Sequence, residues 1–289
     1  MRSVSSDMTR ILHLSDPHFG AVEPAIVAKF VALASAMKPD ITVLSGDLTM
    51  RARPHELSAA RAFVEQLPKP LLMIPGNHDV PLLNQPFDRF FRPFHRYHRT
   101  FERELEPELI TGSAHVVGLN SARAFGPYFD WSEGRVSREQ LARVENSFAK
   151  SPEGRLRILV THHPLLELPT RRRAIIKPLK PLLETIEAAK VDLVMCGHFH
   201  LSQILLAGAS DQWRAVISQA PTVTSTRLKG EPQGFHEFAI GPDRIEAIHH
   251  HYKDEAFVPA RRFAFIRGEK GWNESPDQEI HSALPIGRS

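Results

Sequence analysis

Five short apolar runs in the chain pass directly into residue types that bind metals. The runs and the residues after them read ILHLSDPHFG (11–20), ITVLSGDL (41–48), LLMIPGNHD (71–79), RILVTHHP (157–164) and DLVMCGHFH (192–200). Each run has the length of a buried strand, and each is followed at once by Asp, His or Asn. Since five coincidences of this kind are improbable, the pattern predicts one metal centre at the carboxyl edge of a sheet.

Apolar residues at helical spacing separate several of these strands. The spacing predicts helices over residues 23–37, 54–67 and 181–190, the first ending before Pro39 and the second at Pro68. Repetition of strand, helix and strand over the first 200 residues indicates a mostly parallel sheet with helices on its faces. Ligands of such sheets collect beyond the carboxyl ends of the strands, which is where the metal-binding residues fall.

From about residue 113 the pattern changes to short strands separated by Gly, Pro and Asp turns. These strands are predicted over 114–122, 203–208, 213–221, 234–241 and 244–252. The fold class that follows is α/β, with two packed mixed β-sheets flanked by helices. We expect a single domain over residues 8–270 and a loose C-terminal tail over 271–289, which is rich in Pro, Gly and polar groups.

Aromatic residues at helical spacing alternate with arginines between Phe87 and Glu108. The aromatic residues are Phe87, Phe90, Phe91, Phe94, Tyr97 and Phe101, and the arginines are Arg89, Arg92, Arg96, Arg99 and Arg103. The simpler interpretation is an amphipathic helix laid over the core, with Pro93 near its start or at a kink. The alternative is a helical cap over residues 81–110 that covers the metal centre and contacts a substrate.

The net charge and the cysteine content limit the possible partners and the possible metal ligands. The net charge of +3 is too small to indicate a dedicated nucleic-acid binder. Cys196 is the only cysteine, so that an intrachain disulfide and a cysteine zinc site are both excluded. We interpret it as a small buried residue. Any metal must therefore be held by nitrogen and oxygen ligands, a set that suits Mn, Fe or Zn.

The sequence also predicts the cellular compartment of the protein. Met1 to Arg10 is polar and lacks the apolar segment of a secretory signal. No apolar run approaches the roughly 20 residues that span a bilayer, so that no transmembrane segment is predicted. We expect a cytoplasmic protein, and we leave open whether it forms a homo-oligomer.

The metal-binding residues are too many for one ion. Several follow a glycine that permits a tight turn, and two pairs are spaced two residues apart. The candidate ligands are Asp16, His18, Asp47, Asn77, His162, His198 and His200. A single zinc ion usually takes three or four protein ligands, whereas seven suit two ions if one carboxylate bridges them. Among the remaining histidines, His13, His115, His236 and His249 to His251 are interpreted as structural.

The five blocks together resemble a known family. DPH (16–18), GD (46–47), GNHD (76–79), THHP (161–164) and GHFH (197–200) look like the ordered signatures of calcineurin-like metallophosphoesterases. The resemblance covers roughly residues 10–200 and implies a four-layer αββα sandwich. GDLT (46–49) and PGNHDVP (75–81) are most similar to the bacterial class III branch of cyclic-nucleotide and glycerophosphodiester phosphodiesterases.

The resemblance implies a role for each candidate ligand. Asp16, His18 and His200 would bind the first metal, Asn77, His162 and His198 the second, and Asp47 would bridge the two. His162 is chosen over His163 as the ligand because it comes first after the strand. The expected reaction is in-line attack on phosphorus by a hydroxide that the two ions share.

The same resemblance implies catalytic and substrate-binding groups outside the metal shell. His78 would contact the phosphate or the leaving oxygen rather than a metal, and Asp79 would orient it. Asn77, His78 and His200 are the predicted substrate-binding residues. Arg171 to Arg173, after THHP, are interpreted as a solvated loop, or alternatively as a positive wall for an anionic substrate.

The predicted function is a dinuclear-metal phosphodiesterase acting on a cyclic nucleotide or another small diester. One alternative keeps the family but changes the substrate to a monoester or to a nucleotide or lipid-linked pyrophosphate. In that case the segment 87–103 would make a peripheral membrane contact. A non-enzymatic scaffold is disfavoured because no ligand position departs from the pattern. A DNA nuclease is disfavoured because the chain lacks a coiled-coil segment and a strong basic stripe.

Overall fold

The computed structural model describes residues 8–82, 84–124, 132–166 and 175–276. The strands are β1 (Thr9–Leu14), β2 (Ile41–Leu44), β3 (Leu71–Met73), β4 (Glu108–Ile110), β5 (Ala114–Leu119), β6 (Gly134–Arg135), β7 (Leu156–Thr161), β8 (Ile176–Lys177), β9 (Leu193–Cys196), β10 (Gln203–Ala207), β11 (Ala215–Gln219), β12 (Gly234–Ile240), β13 (Arg244–Lys253), β14 (Ala256–Gly268) and β15 (Gly271–Glu274). The helices are α1 (Pro24–Met37), α2 (Pro54–Gln66), α3 (Pro86–Phe91), α4 (His95–Phe101), α5 (Arg138–Ala149) and α6 (Leu179–Ala188).

Two mixed sheets organise the chain. The first has the order β15-β14-β13-β12-β1-β2-β3, and the second has the order β10-β11-β9-β7-β5-β4. In the first sheet β1, β2 and β3 run parallel, and in the second β5, β7, β9 and β11 do. The remaining neighbours in both sheets are antiparallel. The five strands that precede the metal-binding residues therefore lie in the parallel parts of the two sheets.

Alternating side chains pack the sheets into layers. Ile11 and Val43 of the first sheet and Ile158 of the second belong to the core between the sheets, whereas Leu12 faces a second core under α1 and α2. A third core joins the other face of the second sheet to α5 and α6. The prediction of two packed mixed sheets flanked by helices is therefore confirmed.

The C-terminal end of the first sheet corrects the expected domain boundary. Residues Gly271–Glu274 form β15, which pairs with β14, so that the fold continues past residue 270. The reason is that Trp272 is fully buried and belongs to the core between the sheets. The remainder of the expected tail, residues 277–289, lies outside the described part of the chain.

The aromatic and arginine-rich segment forms two short helices instead of one. α3 and α4 are separated at Arg92–Phe94, where Pro93 cannot donate a backbone hydrogen bond. Tyr97 on α4 is buried in the core that α1 and α2 cover. Phe87 and Phe91 on α3 are 60% and 75% exposed. The helix is therefore interrupted at Pro93 rather than kinked, and contact between this segment and a substrate stays a prediction.

The helices are short compared with the thickness of a bilayer. α1 has 14 residues, whereas a membrane-spanning helix needs about 20 apolar residues. Within the described ranges, no helix combines the length and the apolar composition needed to cross a membrane.

A chain of buried histidines and serines crosses the core between the sheets. The ring of His13 lies 3.0 Å from Ser45 Oγ and 2.8 Å from Ser218 Oγ. Ser218 Oγ also lies 2.8 Å from Nδ1 of His236, whose Nε2 contacts Ser202 Oγ at 2.9 Å. Because each ring nitrogen has a hydroxyl partner, both imidazoles can be buried in the neutral form. Burial accordingly lowers the pKa of His13 to about 3.

We expect His13 to make the protein less stable in acid. Between pH 6.5 and about 3 the unfolded chain binds a proton at this imidazole and the folded chain does not, so that stability falls as the pH falls. One such group contributes about 1.4 kcal/mol per pH unit. Urea unfolding in EDTA at pH 7 and pH 5 should show a smaller pH dependence for His13→Gln than for the wild type. If the free energy of unfolding changed equally between pH 7 and pH 5 in both proteins, the assignment of a neutral buried imidazole would be contradicted.

Candidate metal centre

A first cluster of candidate ligands lies where β1 and β9 end. Asp16 and His18 follow β1, and His200 follows β9. One potential ligand atom from each lies within 4.8 Å of the other two. Nε2 of His18 is 2.9 Å from Nε2 of His200, and Asp16 Oδ1 is 3.3 Å from the latter nitrogen. The three side chains are buried and face one another.

The loops after β3, β7 and β9 form a second cluster, Asn77, His162 and His198. Nε2 of His162 lies 3.1 Å from Asn77 Oδ1 and 3.3 Å from Nδ1 of His198. A ring nitrogen of His163 is also within 4.8 Å of ring nitrogens of His162 and His198. The structure thus brings all of the predicted ligands of the second ion together, with His163 beside them.

Asp47 lies between the two clusters. Its Oδ2 atom is 3.6 Å from Nε2 of His18 and 3.3 Å from Nε2 of His162. Asp47 therefore contacts a ligand candidate from each side, as expected of a bridging carboxylate.

Backbone carbonyls fix the orientation of three of these imidazoles. Nδ1 of His18 lies 3.2 Å from Thr49 O, Nδ1 of His162 lies 2.8 Å from Ser45 O, and Nδ1 of His200 lies 2.8 Å from Arg227 O. A carbonyl oxygen only accepts, so each Nδ1 is the donor, and Nε2 is the nitrogen that each ring turns to the clusters, where it can bind a cation once unprotonated. These anchoring carbonyls have no sequence signature.

The donor set fits cations. Lone pairs of His18 and His200 at 2.9 Å repel each other unless a proton or a cation lies between them. Asp16 Oδ1 is buried and lacks a hydrogen-bond partner among the described residues. The clusters contain nitrogen and oxygen donors in the numbers that two divalent ions require.

Electrostatics in the centre favour charged carboxylates. Burial by itself would raise the pKa of Asp47, but His162 and His78 together lower it well below its usual range. Burial would likewise lower the pKa of His162, but the charge and hydrogen bond of Asp47 raise it to about 9. Binding of a cation at His162 would therefore displace a proton.

Five candidate ligands have left-handed backbone conformations. The φ angles are 53° at Asp16, 53° at His18, 52° at Asp47, 76° at His198 and 59° at His200. Each costs about 1–2 kcal/mol in a residue that has a Cβ atom, and such strain is concentrated at functional sites. β1 ends at Leu14, so the strand does not continue through Asp16 and His18. Their convergence depends on this conformation rather than on strand alternation.

Gly76 allows the backbone to approach Asp47. A Cβ atom on Gly76 would lie 2.2 Å from Oδ1 and 2.4 Å from the backbone nitrogen of Asp47. Both distances are far below van der Waals contact, so any side chain at position 76 would displace the carboxylate between the clusters.

We expect Gly76→Ala to weaken metal binding by roughly 10–100-fold, the range seen when groups that orient metal ligands are disturbed. Titration calorimetry with Mn²⁺ measures this effect. Gly112→Ala is the matched control, because a Cβ atom there meets nothing within 4 Å. Unchanged affinity in Gly76→Ala would show that the position of Asp47 does not determine binding.

His78 lies beside the clusters but belongs to none of the three potential ligand groups. It is in a 3-10 turn, Asn77–Asp79, and its ring meets the ring of His18 edge-on with centroids 4.9 Å apart. Nδ1 donates to Met50 O at 2.8 Å, and the backbone nitrogen donates to Asp47 Oδ1 at 2.8 Å. Met50 O therefore holds the ring through Nδ1, and Nε2 takes no part in that hydrogen bond.

Asp79 differs from the sequence-based expectation. Its carboxylate accepts hydrogen bonds from the backbone nitrogens of Leu48, Thr49 and Gly76 and from Thr49 Oγ1, at 2.9–3.1 Å. None of these described bonds goes to the ring of His78, which Met50 orients. Burial and the charge of Asp47 raise the pKa of Asp79 to about 6. The hydrogen bonds of Asp79 thus link two turns, one that carries Asp47 and one that carries Asn77.

Comparison with known proteins identifies the family. The sequence matches the family described as "Calcineurin-like phosphoesterase" over residues 9–202. The chain belongs to this family. The match contains all seven candidate ligands and His78, which confirms the resemblance drawn from the five sequence blocks. Arg171 to Arg173 lie outside the described residues.

Curated relatives and solved structures add detail. The chain is 27% identical over 171 residues to a "Probable glycerophosphodiester phosphodiesterase GpdQ" of Arcobacter nitrofigilis, covering 56% of this chain and 57% of the relative. It is 21% identical over 140 residues to a "Probable cyclic nucleotide phosphodiesterase" of Vesicomyosocius okutanii, covering 48% and 52%. The chain thus spans about half the length of these relatives. The structure of PhoD shares the fold, with a TM-score of 0.67, 10% identity, and coverage of 98% of this chain and 74% of PhoD.

Proposed function

We propose that the protein is a metal-dependent phosphodiesterase with two divalent ions. The observation that supports this most directly is the pair of ligand clusters on either side of Asp47, with Asp47 Oδ2 within 3.6 Å of His18 and 3.3 Å of His162. Asp16, His18 and His200 would hold one ion, Asn77, His162 and His198 the other, and Asp47 both. The ions, Mn, Fe or Zn, would activate water and stabilise negative charge on the phosphoryl oxygens.

The protein's own groups orient the ester and protonate the leaving group. Asn77, His78 and His200 are the residues we assign to the phosphoryl group. Nδ1–H of His78 is committed to Met50 O, so that Nε2 can donate only when the imidazole is protonated. His78 would then transfer this proton to the leaving oxygen as a general acid.

The names of the two relatives support small diesters as substrates, either a glycerophosphodiester or a cyclic nucleotide. A specific feature favours a second candidate, a lipid-linked pyrophosphate. Phe87 and Phe91 on α3 are exposed, and the Arg92 guanidinium lies 4.8 Å from the centre of the Phe87 ring. An exposed aromatic and cationic surface of this kind suits a peripheral membrane contact.

The test compares hydrolysis of bis-p-nitrophenyl phosphate, p-nitrophenyl phosphate, a glycerophosphodiester, cAMP and a lipid pyrophosphate. We expect the diesters to be hydrolysed with higher kcat/KM than the monoester. EDTA should abolish activity, and Mn²⁺ should restore it. A preference for the monoester or the pyrophosphate would overturn the diesterase assignment, and activity that persists without metal would overturn the metal-dependent mechanism.

A further inference from the structure

His163 is a buried imidazole beside the second cluster for which the proposed reaction has no role. A ring nitrogen lies within 4.8 Å of ring nitrogens of His162 and His198, and its ring centroid is 4.7 Å from that of His198. Burial does not distinguish it from the candidate ligands, since His162 is equally buried. Position alone therefore does not show whether His163 is a ligand or a donor.

The hydrogen bonds around Ser121 point to the position of the proton on His163. Ser121 Oγ accepts from the backbone nitrogen of His163 at 3.2 Å and from Thr161 Oγ1 at 3.1 Å. A hydroxyl oxygen has two lone pairs, and both are then in use. With Thr161 as the donor in its contact with Ser121, the contact of 2.8 Å between Ser121 Oγ and Nδ1 of His163 is donated by the serine. Nδ1 is thus an acceptor, and the ring proton is on Nε2.

His162 and His163 consequently have opposite tautomers. Ser45 O can only accept, so that His162 keeps a proton on Nδ1 and offers a lone pair at Nε2 when a cation has displaced the proton there. His163 offers an N–H group at Nε2. That atom is buried and has no hydrogen-bond partner among the described residues. A buried N–H group is rarely left unpaired in a folded protein, so an acceptor is expected to enter the site.

The packing around His163 is tight. A Cβ atom on Gly134 would lie 2.5 Å from both Cβ and Cγ of His163. The absence of a side chain at Gly134 therefore allows the imidazole to occupy this position, where Ser121 also fixes it. An orientation held from two sides suits a group that recognises a ligand.

We propose that His163 donates a hydrogen bond from Nε2 to an anionic oxygen of the substrate's phosphoryl group, in the half of the site formed by the second cluster. This inference rests on the proposed function. It assigns the two adjacent histidines complementary tasks, since His162 supplies a lone pair for a cation and His163 supplies a proton for the anion. A phosphoryl oxygen provides the negative acceptor for which hydrogen bonds are strongest.

The tautomers can be measured directly. In Zn²⁺-loaded protein with ¹⁵N-labelled histidine, long-range correlation spectra distinguish Nδ1–H from Nε2–H rings. We expect His163 to show Nε2–H and His162 to show Nδ1–H. An Nδ1–H tautomer at His163 would overturn the proposal, because its Nε2 would then be a lone-pair donor. This measurement uses the wild-type protein and does not depend on any variant folding.

Variants test the anion contact. We expect His163→Ala to weaken binding of inorganic phosphate to the Zn²⁺-loaded protein by roughly tenfold, with the zinc Kd unchanged. His163→Gln, whose amide places an N–H group near the same position, should restore most of the affinity. Unchanged phosphate affinity in His163→Ala, or a parallel loss of zinc affinity, would overturn the proposal. Because calorimetry reads phosphate binding without turnover, it remains informative if the protein hydrolyses no phosphodiester and the proposed function fails.

Discussion

Asp47→Ala will lose both metal ions and phosphodiesterase activity together. The carboxylate lies between the two clusters and contacts an imidazole from each. In the proposed centre its removal would take one ligand from each ion and the negative charge that balances them. We expect metal content, measured by plasma mass spectrometry after dialysis, to fall to background. Hydrolysis of bis-p-nitrophenyl phosphate should fall by at least about 10³-fold, since both activation of water and charge stabilisation are lost.

Asp192→Ala provides the matched control for this variant. Asp192 is also a buried carboxylate with charged and polar partners, at 2.8 Å from Arg267 and 3.1 Å from the Trp272 indole nitrogen. It precedes β9, whereas His198 follows that strand, so the two residues lie at opposite ends of β9. We expect this variant to unfold at a lower temperature and to retain its metals. If Asp47→Ala retained both ions at wild-type affinity, Asp47 would not be a bridge.

His78→Ala will have the opposite combination of effects, with both metals retained and turnover lost. The backbone nitrogen of residue 78 donates to Asp47 whatever the side chain, so Asp47 keeps this contact. Only the imidazole held by Met50 is removed. A general acid typically contributes 10²–10⁴-fold to the rate, and we expect kcat to fall within roughly that range.

The leaving group makes this test specific. Esters of p-nitrophenol need little protonation of the departing oxygen, so His78→Ala should affect them less than esters of an alkyl alcohol. His95→Ala, which removes an exposed histidine from α4, should leave both rates unchanged. Equal losses with both leaving groups would show that His78 does not act as an acid, and full activity would show that it takes no part.

The sequence could predict that the candidate ligands lie together because each of them follows a short buried strand. The position of a residue can be predicted from sequence when it depends only on its following a strand at the carboxyl edge of the sheet. Asp47 after β2 and Asn77 after β3 are examples. The left-handed conformations at Asp16 and His200 could not be read, because tertiary contacts impose them on residues that otherwise avoid them. The same holds for the carbonyl of Met50 and the donors around Asp79.

Other elements were missed for local reasons. α5 has few apolar residues, although its capping box of Ser137 and Gln140 is a signal that could have identified it. β14 contains Pro259, and its register with β13 shifts between His249 and His250, so regular alternation is interrupted. The tautomer of His163 depends on Ser121, 42 residues away in the chain, and no local pattern records it.

Anomalous diffraction from crystals grown with Mn²⁺ tests the two-metal centre most directly. We expect two peaks per chain, one bounded by Asp16, His18 and His200 and the other by Asn77, His162 and His198, with Asp47 between them. A single peak, or peaks away from Asp47, would contradict the two-metal centre and with it the mechanism proposed for this protein.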